Sequence, residues 1–270
     1  MRLKVEKDKL LQKYDNEEDR LLISRLLDKI EESKKRNRVT TTNFLDERQQ
    51  EMIQNVINSQ ENCYLEGFAK EAERKLVVIY PKQMEESRRI REAESKITIF
   101  RMLLPKDLIG SYSHRQYLGA LMKLGIKREK IGDILVDENG ADIIACKEIE
   151  KYIEENITSL TRFQKAVIEK IRINEIREIK QKKENFTITV TSLRLDNVVA
   201  ELAGCSREKG QEIIKQERVF VNHQLEIKNT KQIKIGDKVS IRGKGRFYIK
   251  EIVGTTKKGR NLVLIETFTR

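Results

Sequence analysis

Residues 193–222 read LRLDNVVAELAGCSREKGQEIIKQERVFVN, and this stretch decides the fold of the C-terminal third of the chain. Leu195, Val198, Val199 and Leu202 recur at i, i+3, i+4 and i+7, which is one apolar face of a helix. Gly204 ends that helix in a left-handed turn, and Ser206 caps the next by accepting from an otherwise unpaired amide. In the second helix Gly210, Ile213 and Ile214 point inward. Arg207, Gln211, Lys215 and Arg218 follow at spacings of four, four and three, which places them along one outer stripe and its end. Lys209 lies a little off that stripe. A row of two Arg, one Lys and one Gln suits phosphates, which arginine pairs bidentately.

Downstream, Val219 and Val221 alternate with Phe220 and Asn222 as a strand, and Gly236-Asp237 turns into a second strand at 238–241. Arg242-Gly243-Lys244-Gly245-Arg246 then alternates cations with glycine, so Arg242 and Lys244 join the candidate polyanion contacts. Residues 248–253 and 261–265 read as a closing β-pair around the basic turn Lys257-Lys258-Gly259-Arg260.

These elements resemble the S4 RNA-binding domain (αL-like) family. The resemblance is carried by Leu193-Arg194-Leu195-Asp196, Ser206-Arg207, Ile213-Ile214-Lys215, Arg218-Val219-Phe220-Val221-Asn222 and Gly236-Asp237-Lys238-Val239. It implies contact with structured RNA through Arg194, Ser206, Arg207, Lys209, Gln211, Lys215, Arg218 and Asn222, with Asp196 in a structural role. Two departures stand out. Glu217 occupies the place of a glycine before the strand, where its charge opposes phosphate binding beside Arg218. His223 stands where Asn-Gly would form the turn.

Upstream, the texture is mixed. Leu76-Val77-Val78-Ile79-Tyr80-Pro81 is a short strand stopped by proline, and 96–103 is another. Ser113 with Gln116 forms a capping box opening a helix whose stripe is Tyr117, Leu118, Leu121, Met122 and Leu124. Asp137-Glu138-Asn139-Gly140 joins two strands as a hairpin. A helix follows at 147–156, and 162–171 fits a last strand or a further helix. The order β-α-β-β-α-(β) is that of a split βαβ unit, the architecture of RRM domains. Phe100 reads as core, because the base-stacking signature of RRM strands is missing. Arg101, His114, Arg115, Lys123, Lys127, Arg128 and Lys130 are equally open as RNA contacts or as a solvated face. Before residue 75, Leu10, Leu11, Leu21, Leu22, Leu26, Leu27 and Ile30 recur at helical spacing. They end in a basic cluster at 34–38, after which Thr42 or Asn43 caps a second helix.

The stretch Ser113-His114-Arg115-Gln116-Tyr117-Leu118-Gly119-Ala120-Leu121-Met122-Lys123-Leu124-Gly125-Ile126, continuing to Val136, resembles the YlmH-type S4 proteins of bacteria. With the helical segment before it and S4 after it, the resemblance covers nearly the whole chain. It implies docking on ribosomal RNA, on large subunits obstructed by peptidyl-tRNA in ribosome-associated quality control, and a link to cell-division loci.

Composition agrees in sign. The 270 residues carry a net charge of +12. Residues 192–270 hold 17 Lys/Arg against 9 Asp/Glu, so two thirds of the excess sits in the last third of the chain. Such a balance favours polyanionic partners. Cys63, Cys146 and Cys205 are odd in number and far apart, which argues against a disulfide framework or a zinc site. The charged N-terminus lacks a signal-peptide core and no stretch is apolar enough for a bilayer, so a soluble cytoplasmic protein without membrane contact is expected. An enzyme is the main rival class. A methyltransferase would need a Gly-rich loop after a strand, and a pseudouridine synthase would need a catalytic Asp in a larger β-rich domain, which Arg194-Leu195-Asp196 only echoes. His114 and His223 are far apart in the sequence, and no spacing to an Asp or Ser marks either as a base. A cell-division interaction scaffold is the third class. The expectation is therefore an α+β protein in three parts: a helical N-terminal region (1–75), an RRM-like domain (76–180) and an S4 domain (181–270). It acts as a monomer without cofactor or metal and binds rRNA, the large subunit and tRNA rather than performing catalysis.

Overall fold

The computed structural model describes residues 11, 12, 14, 16–178 and 182–269. Two compact units result, Met1–Ile179 and Lys180–Arg270. The expected boundary at 180/181 and Leu10 of the N-terminal stripe lie outside the described residues.

The first unit begins with α1 (Glu17–Arg36), capped by the Asn16 side chain and ended by Asn37 in the left-handed region. Strand β1 (Thr40–Thr41), α2 (Glu47–Asn58), β2 (Cys63–Glu66) and β3 (Leu76–Ile79) follow. Helix α2 is capped by Asp46, whose carboxylate accepts from the Gln49 N–H at 2.9 Å while Gln49 returns the bond to the Asp46 N–H. The expected caps are employed elsewhere. The Thr42 hydroxyl accepts from the Val77 N–H, and the Asn43 amide donates to Glu129. The strands order as β1-β3-β2. The segment 1–75 is therefore not purely helical, and the strand at 76–79 is the centre of this N-terminal sheet rather than the start of the next domain.

After α3 (Glu86–Glu94) come β4 (Ile97–Leu103), α4 (His114–Lys123), β5 (Ile131–Asp137), β6 (Gly140–Cys146), α5 (Glu150–Asn156) and β7 (Val167–Lys170). The region 162–171 is thus resolved as a strand. The antiparallel sheet runs β5-β6-β4-β7, the order of a split βαβ unit. The Asn139-Gly140 hairpin is present, with Asp137 paired to Gly140. A side chain at Gly140 would run into the Met102 carbonyl, at φ +152.

Alternation along the strands sorts the core into layers. Phe100, Met102, Ala141, Ile143 and Ala145 face α4 and α5, with Tyr117, Leu121 and Ile153. Ile97, Ile99, Ile144 and Cys146 face the other way, against Val39, Phe44, Leu76, Val78 and Ala93. The N-terminal sheet repeats the scheme: Val77 and Ile79 meet Ile23, Leu26, Ile30 and Ile53 of α1 and α2. The unit is a four-layer α/β/β/α sandwich. Phe44 seats its ring over Gly132, where a β-carbon would come within 2.8 Å of it. Arg74 donates to the Ile131 and Phe44 carbonyls, and Asp133 accepts from the Glu73 and Arg74 amides.

The second unit starts with β8 (Lys182–Val190), then α6 (Leu195–Ala203), α7 (Arg207–Lys215), β9 (Val219–Val221), β10 (Gln224–Leu225), β11 (Lys238–Ile241), β12 (Gly245–Thr255) and β13 (Asn261–Thr269). They form one antiparallel sheet, β10-β9-β11-β12-β13-β8. The expected face of α6 (Leu195, Val198, Val199 and Leu202) joins Ile214, Val219, Val239 and Ile249 in one core. Gly204 adopts φ +63, and the Gly204 and Cys205 amides donate to Glu201 and Ala200, closing the helix in a Schellman turn. Helix α7 ends the same way, with Glu217 and Arg218 donating to Ile214 and Ile213, but the left-handed residue is Glu217, at φ +57.

A non-glycine residue in this conformation costs about 1–2 kcal/mol, partly offset because glycine is more flexible in the unfolded chain. Glu217→Gly is expected to raise stability by roughly 0.5–1 kcal/mol. Urea unfolding checks this as a higher midpoint at unchanged slope; a lower midpoint would mean that the Glu217 side chain contributes more than its backbone costs.

Candidate nucleic-acid interface

The candidate interface of the second unit is organised around a buried carboxylate. Asp196 lies in the first turn of α6 with no solvent exposure. Its Oδ1 accepts from Arg194 Nε at 3.2 Å and from the Asn197 N–H at 3.1 Å. Its Oδ2 accepts from Arg194 Nη2 at 3.0 Å, Arg207 Nε at 3.0 Å, Arg207 Nη2 at 2.8 Å and Gln211 Nε2 at 3.1 Å. Burial alone would raise the Asp196 pKa. The hydrogen bonds from Arg194, Arg207 and Gln211 together outweigh burial and hold the carboxyl well below the usual carboxylate range. The same contact raises Arg194. Gly210 makes this convergence possible, since a β-carbon there would stand 3.1 Å from Ala200 and from the Asp196 carbonyl. With glycine, α7 lies close on α6 and brings Arg207 and Gln211 over the carboxylate.

Two residues of the expected stripe, Arg207 and Gln211, therefore belong to one network with Arg194, another of the expected contacts. Ser206 is engaged as the cap of α7, its hydroxyl accepting from the Lys209 N–H at 3.3 Å. At the other end of α7, Arg218 Nη2 donates to the Arg242 carbonyl at 2.8 Å, and the Arg242 guanidinium lies 4.9 Å over the Phe220 ring. Lys244 donates to the Ala203 carbonyl at 3.0 Å, a cation on the C-terminal end of α6. Asn222 donates to Asp237 and accepts from the Lys238 N–H, tying the turn at 222–223 to the turn at 236–237. Asn222 and His223 both have positive φ, 47° and 65°. His223 thus keeps the backbone of the expected Asn-Gly turn without the glycine.

Arg207, Lys209, Lys215, Arg242 and Lys244 are exposed. They do not form a single row. At about 100° per residue, Lys209 is displaced by more than 90° from Arg207, Gln211 and Lys215. The groove beside Gln211 and Lys215 is also lined by Glu208, Glu212 and Glu217. Sequence spacing identified the stripe but not these carboxylates on its flank, nor Asp196 as the partner of Arg207 and Gln211.

In the first unit, Arg101 forms a two-toothed pair with buried Asp142 at 2.9 and 2.8 Å. Arg128 turns inward to the Ile131 and Gly132 carbonyls, and burial pushes its pKa down to about 10. Lys130 donates to Asn43 and pairs with Glu148. Arg115, Lys123 and Lys127 are exposed, while His114 is only partly so. The sheet face that an RRM offers to bases is here covered by Val39, Phe44, Leu76 and Val78, so base stacking on that face is sterically closed. Among the described residues there is no cluster of three or more His, Cys, Asp or Glu able to hold a metal, and no helix long and apolar enough to cross a membrane.

Comparison with known proteins places two segments. Residues 91–175 match the family described as "Putative RNA-binding domain in YlmH", and residues 193–239 match the S4 domain. A protein of Bacillus subtilis (strain 168), named ribosome-associated protein quality control protein P2, is 32% identical over 233 residues, covering 85% of this chain and 87% of that protein. Among solved structures, the cell division protein ylmH from Streptococcus pneumoniae aligns at TM-score 0.48 and 18% identity, over 61% of this chain and 98% of that one.

The carboxylate network makes stability depend on acid. Because the folded pKa of Asp196 lies below the value near 3.9 of an unfolded Asp, its contribution is complete above about pH 5 and is lost as pH falls through and below 4. Asp196→Asn is expected to lower stability at pH 7 by about 2–4 kcal/mol, the half-exposed Arg207 keeping it from the top of the range for broken buried pairs. The variant's urea midpoint should change less than wild type's between pH 5 and 3. Equal pH dependence in both proteins would remove Asp196 from this role.

Proposed function

Because the chain belongs to the YlmH-type S4 RNA-binding family, we propose that it is a non-enzymatic factor that docks on structured rRNA of the large ribosomal subunit. In this reading the S4 unit positions the protein on the subunit, and tRNA held there is a further RNA partner. The protein works as a cytoplasmic monomer, in the ribosome-associated quality control for which its Bacillus subtilis relative is named.

The observation that supports this most directly is the way the S4 cations are held. Arg207 is half exposed yet anchored through Nε and Nη2 to a buried carboxylate. A guanidinium has five N–H donors, so three remain for a phosphate. Fixing the side chain beforehand removes much of the ordering cost that a mobile cation bears on binding. Lys209 and Lys215 add exposed charge, and Arg242 is braced on Phe220. The proposed contacts are Arg207, Lys209, Lys215 and Arg242. Arg194, Ser206, Gln211, Arg218, Asn222 and Lys244 hold the surface in shape and reach RNA only with whatever donors those bonds leave over. Contacts of this type position a protein on folded RNA without reading its sequence. Catalysis finds no support in the arrangement: Asp196 is sequestered by two arginines and a glutamine, which leaves it no lone pair directed at a substrate.

Sucrose-gradient co-sedimentation with ribosomal fractions tests the proposal. Lys209→Glu with Lys215→Glu alters two exposed side chains outside the core. Wild type should travel with large subunits and dissociate as salt rises. The double variant should bind at least about tenfold more weakly at moderate salt with an unchanged melting temperature. Undiminished co-sedimentation of the folded variant at every salt concentration would remove the S4 surface from the interaction.

A further inference from the structure

We propose that the first unit carries a second RNA-backbone site, distinct from the S4 surface: a basic groove at one end of the two stacked sheets. The inference rests on the RNA-binding reading above and adds a surface to it. The groove encloses about 960 Å³. One wall is N-terminal, made by Arg25 and Lys29 of α1, Arg38 and the chain at 39–43. The other comes from the segments before β4, between α4 and β5, and after β6, and contributes Lys96, Lys127, Lys130 and Lys147. One wall of the site therefore lies outside the segment 91–175 that matches the family's RNA-binding domain.

The charge balance argues for a polyanion. Seven of the lining residues are cations and three are carboxylates, and each carboxylate already has a partner. Glu32 accepts from Lys29 and Arg38 at 2.9 Å and from Arg36 at 3.1 Å, and the two nearer bonds draw its pKa down to about 2. Glu148 pairs with Lys130, and Glu129 accepts from Asn43. Arg25 on one wall and Lys96 and Lys127 on the other have no ion pair among the described residues. Cations gathered in one concave surface repel each other and concentrate field there, and a phosphodiester chain relieves that repulsion. A volume of this size exceeds what one phosphate needs and suits a run of nucleotides.

A second feature distinguishes a nucleic acid from a simple anion. The Tyr152 ring lines the groove at 46% exposure, and its hydroxyl is tied to the Leu124 carbonyl at 2.8 Å. A tethered aromatic beside unpaired cations is the combination that holds single-stranded RNA, with the ring under a base and the cations along the backbone. The covered sheet face leaves this unit no RRM-type platform, so RNA contact by this unit has to use another surface.

The test uses the full chain and a fluorescein-labelled RNA hairpin carrying a single-stranded tail of about ten nucleotides, read by anisotropy across salt. Arg25→Ala, Lys96→Ala and Lys127→Ala combined should lower affinity about tenfold and reduce the slope of log K against log salt by about 2, as expected when three phosphates of a single strand are no longer neutralised. The charge-preserving set Arg25→Lys, Lys96→Arg and Lys127→Arg should bind as wild type does. An unchanged affinity and slope in the alanine variant, while Lys209→Glu/Lys215→Glu still weakens binding, overturns the groove and leaves the S4 reading standing. The reverse pattern keeps the groove and overturns the S4 contacts. Equal weakening by the charge-preserving set points to packing and overturns the groove, as does equal competition by polyglutamate, which would mark a site for acidic protein. Failure of wild type to bind the hairpin overturns both.

Discussion

Burial of both faces of β4 and β6 is the constraint from which the first unit follows. Strands in an RRM-like sheet normally alternate core against solvent, and the solvent face is where RNA stacks. Here the alternation is core against core: Phe100 and Met102 on one side, Ile97 and Ile99 on the other. A second apolar face must be covered, and the N-terminal segment is the cover. That requirement explains the buried Phe44 ring over Gly132, the central strand at 76–79, and the inward turn of Arg74 and Arg128, whose guanidinium groups satisfy carbonyls that the sheet-on-sheet contact removes from water. It also fixes where cations can gather. With the broad face closed, charge collects at the end of the stacked sheets, where loops from both layers meet.

The second unit treats its charge in the opposite way. An exposed arginine on a short helix is mobile and strongly screened. Asp196 changes that by holding Arg194, Arg207 and Gln211 around one buried carboxylate. A buried carboxylate is itself costly, and the two guanidinium groups must compensate for its desolvation. The arrangement is stable as a whole and fragile to removal of any member. Its effect is to pre-organise a planar fork on the helix surface. In the groove of the first unit Lys29, Lys130 and Lys147 have ion-pair partners, while Lys96 and Lys127 have none among the described residues, so the proposed groove offers looser cations than the proposed S4 contacts do.

Much of the fold was legible in the sequence, and the failures share a physical cause. Apolar spacing located α4, α6 and α7, and turn chemistry located the hairpin at 139–140 and the left-handed Gly204, because these depend on residues within one turn of each other. Of the N-terminal sheet only the strand at 76–79 is legible in the sequence. β1 has two residues and β2 offers no alternation, so both exist only through pairing with β3. Strand β8 carries only a weak period-two signal in Phe186, Ile188 and Val190; its pairing with β13 is what gives it a place. At the candidate site, composition and spacing found the cationic positions but not their commitments. Arg207 and Gln211 lie eleven and fifteen residues from Asp196, and no local rule predicts that both will converge on it. The Glu208, Glu212 and Glu217 flank was visible in the sequence as residues, but its proximity to Lys215 needed the helix to be placed.

The two departures from the S4 pattern show how strongly the fold imposes its backbone. Glu217 and His223 both adopt left-handed φ where glycine would do so freely. At residue 217 the Schellman bonds to Ile213 and Ile214 hold the turn, and at 222–223 Asn222 is bonded on both sides to the Asp237 turn. Each turn is thus held by backbone and side-chain hydrogen bonds to neighbouring elements. The turn geometry belongs to the fold; the residues on it are free to change as long as the cost stays near 1–2 kcal/mol. In the proposed RNA-binding reading, the S4 face keeps its shape while its charge varies. Glu217 places a carboxylate beside Arg218 without moving the strand that follows, so the chain can alter the electrostatics of that corner independently of its structure.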